Sequence, residues 1–90
     1  MKSRRSKAFR KLFEALPDTV QRQANTAYTR FMENPSHPGL NLEQVSAKGP
    51  VFSVRIGIQY RALAIRRPDH WLWFWIGSHD EYDKILADLQ

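Results

Sequence analysis

The chain has 90 residues, 42% of them hydrophobic, which suits one domain with a single modest core and is too apolar for a disordered chain. It contains no cysteine, so disulfides, thiolate catalysis and cysteine-ligated zinc are excluded, and no apolar run approaches the roughly 20 residues of a membrane span. Fourteen Lys and Arg against nine Asp and Glu leave a net charge of +5, crowded at the front in Lys2, Arg4, Arg5, Lys7, Arg10 and Lys11, which favours polyanionic partners.

In chain order, residues 1–6 form a basic segment that is either a truncated first strand or a disordered tail. Phe9, Leu12, Phe13 and Leu16 recur at i, i+3, i+4 and i+7, one face of a helix that must stop before Pro17. Asp18 is placed to cap a second helix, with Gln21 in the capping-box position, and Val20, Ala24, Ala27, Tyr28 and Phe31 form its apolar stripe. The prolines and glycine of "NPSHPG" (34–39) end that helix. So short a linker between the two helices predicts an antiparallel hairpin. Residues 40–50 read as a loop with a short strand around 42–45.

From Val51 the period changes to two. "VFSVRIG" and "QYRALAIR" read as a β-hairpin turning near Gly57, and "WLWFWI" (71–76) as a third strand, apolar on both faces and so interior to its sheet. Strict alternation puts Leu72, Phe74 and Ile76 toward the helices, with Phe74 near Leu12. Trp71, Trp73 and Trp75 then line the opposite face, where they either pack under the 40–50 loop or, as at Trp73, stack bases or a partner segment. Ser78 with Glu81 makes a capping box for a last helix carrying Tyr82, Ile85, Leu86 and Leu89. The predicted fold is α+β: a helical hairpin on one face of a small antiparallel sheet, with a short C-terminal helix, all one domain over 1–90.

The order of helix hairpin, "NP" stop, "SVRIG", "QYRAL", apolar strand and "WIGSHDEYDK" resembles the RelE/ParE superfamily of toxins from bacterial type II toxin–antitoxin systems. The likeness runs from about Lys7 to Leu89. It departs from the family at the front, where a full strand normally precedes the first helix. RelE-like members cut mRNA in the ribosomal A site without a metal or other cofactor, and ParE-like members poison DNA gyrase. The resemblance therefore implies a cytoplasmic toxin with an acidic cognate antitoxin and, leading, a metal-free ribosome-dependent mRNA endonuclease. The alternatives are a gyrase-directed or non-catalytic toxin and a plain basic binding module.

Cleavage through a 2′-hydroxyl needs a base, a cation on the phosphate and an acid for the leaving 5′-oxygen. The resemblance assigns Arg61 to the phosphate and His79 to proton transfer. Arg55 is the natural second cation, because a 57–59 turn sets it across from Arg61, where two like charges suit an anion between them or a carboxylate from a loop. His79 falls in the first turn of the last helix, where the helix dipole and the acids Asp80, Glu81 and Asp83 oppose each other on the ring. It is read either as catalytic or as a residue merely covering a helix start. Lys7, Arg10, Lys11, Lys48 and Trp73 are candidate RNA contacts, and His37 and Lys48 are loop residues that could complete the set. No residue is assigned to a metal.

Overall fold

The computed structural model describes residues 2–46 and 49–89. It contains β1 (Ser3–Arg5), α1 (Lys7–Glu14), α2 (Asp18–Glu33), a 3-10 turn at Pro38–Leu40, β2 (Glu43–Gln44), β3 (Val51–Ile56), β4 (Tyr60–Arg66), β5 (Trp71–Ser78) and α3 (His79–Leu89). The strands form one sheet in the order β1-β5-β4-β3-β2. All pairs are antiparallel except β1 with β5, so the sheet is mixed. The basic front segment is a three-residue strand that closes the edge beside β5. That pairing is why a strand apolar on both faces ends up interior.

Local chemistry explains the ends of the helices. Ser6 caps α1, its hydroxyl accepting the Phe9 N–H at 3.1 Å. Asp18 does not cap α2: Pro17 takes the cap position with extended backbone, and Asp18 is the first helical residue, its charge at the positive end of the dipole. Gln21 reaches backward instead, donating to the Leu16 carbonyl at 3.0 Å and so covering the end of α1. The α3 capping box forms as predicted: Ser78 Oγ accepts the Glu81 N–H at 3.3 Å while Glu81 Oε1 accepts the Ser78 N–H at 3.2 Å.

The core lies between the sheet and the hairpin, with α1 on β5 and α2 on β3. Phe9, Ala24, Ala27, Phe31, Val54, Ile56, Ala62 and Ala64 are buried there. The tryptophans correct the strict alternation. Trp71 and Trp73 belong to this core, both edge-on to Phe31 at about 5 Å. Trp75 lies across the register from Leu63 and packs on Tyr82 of α3. The cause is a bulge: Leu63 pairs with Trp75 and Ala64 with Trp73, so Phe74 is an extra residue without a register partner. One extra residue exchanges faces along the strand. Ile76 keeps its expected place toward the helices, whereas Phe74 is only half-buried. Leu63 and Tyr82, both buried, sit outside the helix-side cluster and fasten α3 to the far face.

Candidate functional site

The end of the sheet where β3 turns into β4 also receives the start of α3. Gly57 takes φ +59° to make that turn, a conformation open to glycine at little steric cost. The register sets Arg55 across from Arg61, and Arg61 across from Gly77, giving a transverse row on three strands. One contact ties the helix to the turn, and two more orient Arg61. The His79 N–H donates to the Gln59 carbonyl at 2.7 Å, and Arg61 Nη1 donates to the Tyr60 carbonyl at 2.7 Å and the Ile58 carbonyl at 3.4 Å. Arg61 is thus oriented by its own turn, and His79 starts its helix from the same turn.

His79 is half-exposed, its ring edge-on to Tyr82 at 5.8 Å, and its Nδ1 stands 3.2 Å from Asp83 Oδ2 one helical turn on. A ring that donates Nδ1–H to Asp83 carries its lone pair on Nε2, the arrangement a proton acceptor needs. The sequence alone gives Asp83 as one of three acids that repel phosphate and favour a protonated ring, without placing it on Nδ1. The i, i+4 spacing from His79 was the available signal that the two would meet. His79, Asp80 and Asp83 also bring one ligand atom each within 4.8 Å of one another, close enough for a divalent cation, though exposed acidic groups commonly gather without one.

Arg55 keeps its expected place across from Arg61, but its side chain bonds its own turn. Its Nε donates to the Gly57 carbonyl at 3.0 Å, and it lines a groove of about 500 Å³ against α2 together with Arg22, Arg30, Thr19, Gln23 and Thr26. Neither Arg61 nor His79 lines that groove. Lys7, Arg10 and Lys11 are exposed on α1, on the helix-covered side of the sheet. Alternation from Ala62 puts Arg61 on the side of α3, so the α1 cations are not brought to it. Trp73 is 4% exposed, and its indole N–H donates to Ser3 Oγ at 2.9 Å; it is a core residue and offers no face for a base. His37 caps the 3-10 turn, its Nδ1 accepting the Gly39 N–H at 3.1 Å. Lys48 lies outside the described residues. At the other end of the sheet His70 hydrogen-bonds Asp69 at 2.7 Å and holds that exposed carboxyl below its usual value.

A helical hairpin on one face of a five-stranded mixed sheet, with a C-terminal helix on the other, is the α+β architecture of the RelE/ParE-type toxins. The family model of the ParE-like toxin domain matches residues 18–84, and the chain belongs to that family, the toxin half of toxin–antitoxin systems. Among solved structures it is similar to the YoeB/ParE toxin from Agrobacterium tumefaciens, with a TM-score of 0.71 at 13% identity over 88% of this chain and 99% of that one. It is similar to the archaeal RelE–RelB complex from Pyrococcus horikoshii, with a TM-score of 0.69 at 13% identity over 86% and 92%. The E. coli RelBE toxin–antitoxin complex gives 0.65 at 14% identity over 84% and 93%. Identities this low speak for the fold alone. No curated protein matches the chain.

Proposed function

We propose that this toxin is a metal-free, ribosome-dependent mRNA endonuclease that stops translation in the cytoplasm. The observation that carries the reading is that Arg61 and His79 both bond to carbonyls of the 57–59 turn, Ile58 and Gln59 respectively, with Asp83 on the far nitrogen of the imidazole. In this reading His79 Nε2 takes the 2′-hydroxyl proton and the 2′-oxygen attacks the adjacent phosphorus. Arg61 stabilises the charge building on the phosphate, and the bond to the 5′-oxygen breaks as an acid protonates it. The products are a 2′,3′-cyclic phosphate and a free 5′-hydroxyl. Asp83 is a positioning residue that holds the tautomer.

Primer extension on mRNA in a translating extract tests this. Discrete 5′ ends with wild type that vanish with Arg61→Ala support it; growth arrest with intact mRNA ends it. A second reading, a gyrase-directed or non-catalytic toxin, is favoured by the ParE-like family match and by Arg55 turning away toward α2. Loss of supercoiling by purified gyrase, with mRNA untouched, would choose it. In either case the partner is an acidic antitoxin whose disordered tail folds onto the basic surface. That three of the similar structures are complexes of RelE with RelB supports an antitoxin partner.

A further inference from the structure

We propose that the groove between α2 and the β3 edge is a binding site for a phosphodiester backbone, lined by neither Arg61 nor His79 though it shares the β3–β4 turn with them. Thr19, Arg22, Gln23, Thr26 and Arg30 fall at i, i+3, i+4, i+7 and i+11, one polar stripe along α2. The stripe forms one wall of the groove of about 500 Å³, and Arg55 and Gly57 form the other. Three arginines from two elements line it and no acidic residue does. Among the described residues, the two ion pairs within 4.0 Å both involve histidines, so none of the three guanidinium groups is neutralised by a carboxylate. Arg55 is held at the wall by its bond to the Gly57 carbonyl, and Gly57 itself lies so close to α2 that a β-carbon would stand 2.9 Å from Gln23 Oε1. Arg55 is therefore presented from a fixed surface.

Several features favour a nucleic acid over an acidic peptide. A folding peptide tail anchors through apolar side chains in sockets, and this groove contains no aromatic residue and, of aliphatic ones, only Ala27 and Leu40, both buried in the core. It offers guanidinium forks and hydroxyls, the donors that match phosphate oxygens. Arg22 and Arg30 are eight residues apart, a rise of about 12 Å at 1.5 Å per residue. The groove's affinity for phosphodiester stands on these facts; the choice of RNA over DNA rests on the nuclease reading.

Fluorescence anisotropy of the purified toxin with a labelled 12-nucleotide RNA, and with DNA of the same sequence, is the test. Three neutralised phosphates give a log–log salt slope of about −2, hence roughly 20-fold weaker binding at 200 mM than at 50 mM salt. Arg22→Gln/Arg30→Gln should reduce the slope by about 1.4, and each single variant by about 0.7. A control of equal charge on exposed residues elsewhere, Lys2→Gln/Arg67→Gln, should change affinity less than threefold. Both double variants replace exposed side chains and should melt with wild type. Preference for RNA identifies the source as RNA; equal binding of DNA means that phosphodiester alone is read. Equal losses in the two double variants, an unchanged slope, or a polyglutamate peptide bound in place of both nucleic acids overturns the proposal. Binding that persists in a toxin that cuts no mRNA leaves the groove standing and removes the nuclease reading. Cleavage with normal RNA binding by Arg22→Gln/Arg30→Gln does the reverse.

Discussion

At Gly77 a β-carbon would stand 2.6 Å from Trp75 Cζ2 and 3.3 Å from Glu81 Oε1. The residue has no positive φ, so it is glycine for room and not for turning. The sequence pattern ends the strand at Ile76, one residue earlier. The strand in fact continues through Gly77 to Ser78, and the Trp75 ring folds across it toward Tyr82. Gly77→Ala should move either the packed indole or the capping carboxylate. Overpacking of this kind costs about 1–3 kcal/mol, and the denaturant midpoint should fall accordingly. Because Gly77 is the register partner of Arg61, the proposed mRNA cleavage should fall with it. An unchanged midpoint would mean that Trp75 is free to leave this position. Nothing in the residue string separates a glycine needed for φ from one needed for space, since the second depends on a ring two positions away choosing its rotamer.

Among the elements, β5 shows what sequence can and cannot carry. Its existence, its interior place and its capped exit into α3 were legible, because apolar residues on both faces and S-x-x-E each state their requirement locally. The phase of its side chains was not. "WLWFWI" has no polar residue to mark the solvent side, so the bulge at Phe74 leaves no trace in the pattern. Burial now reverses the expected mutational order. Trp73→Ala removes a ring packed on Phe31 and leaves Ser3 without its partner, and should cost about 3–5 kcal/mol. Phe74→Ala, at the half-buried extra position, should cost clearly less. Urea unfolding of the pair decides it; a larger loss at Phe74 would mean that the bulge lies elsewhere. The front strand was half legible for a related reason: three residues show no period, and β1 exists because the edge of β5 is there to pair with it.

Taken as a whole, the molecule carries +5, and among the described residues no arginine or lysine stands within 4.0 Å of a carboxylate. Composition made the charge legible, but not its division into two regions, because α2 and β3 are far apart in sequence and meet only in the fold. An acidic antitoxin should associate faster at low salt, with the on-rate falling steeply as the Debye length shrinks from about 30 Å at 0.01 M to about 8 Å at 0.15 M. Stopped-flow mixing at the two ionic strengths reads this, and a flat on-rate would show that charge does not guide the encounter. The central claim concerns chemistry at the Arg61–His79 end, and single-turnover cleavage of mRNA on purified ribosomes tests it most directly. Relative to wild type, His79→Ala should be slower by about 10²–10⁴-fold, the range for losing a general acid or base. Arg61→Ala should be slower by about 10²–10³-fold, as for loss of a transition-state donor. Asp83→Asn should fall between wild type and His79→Ala. Cleavage by His79→Ala at the wild-type rate, with the protein folded, would contradict the account.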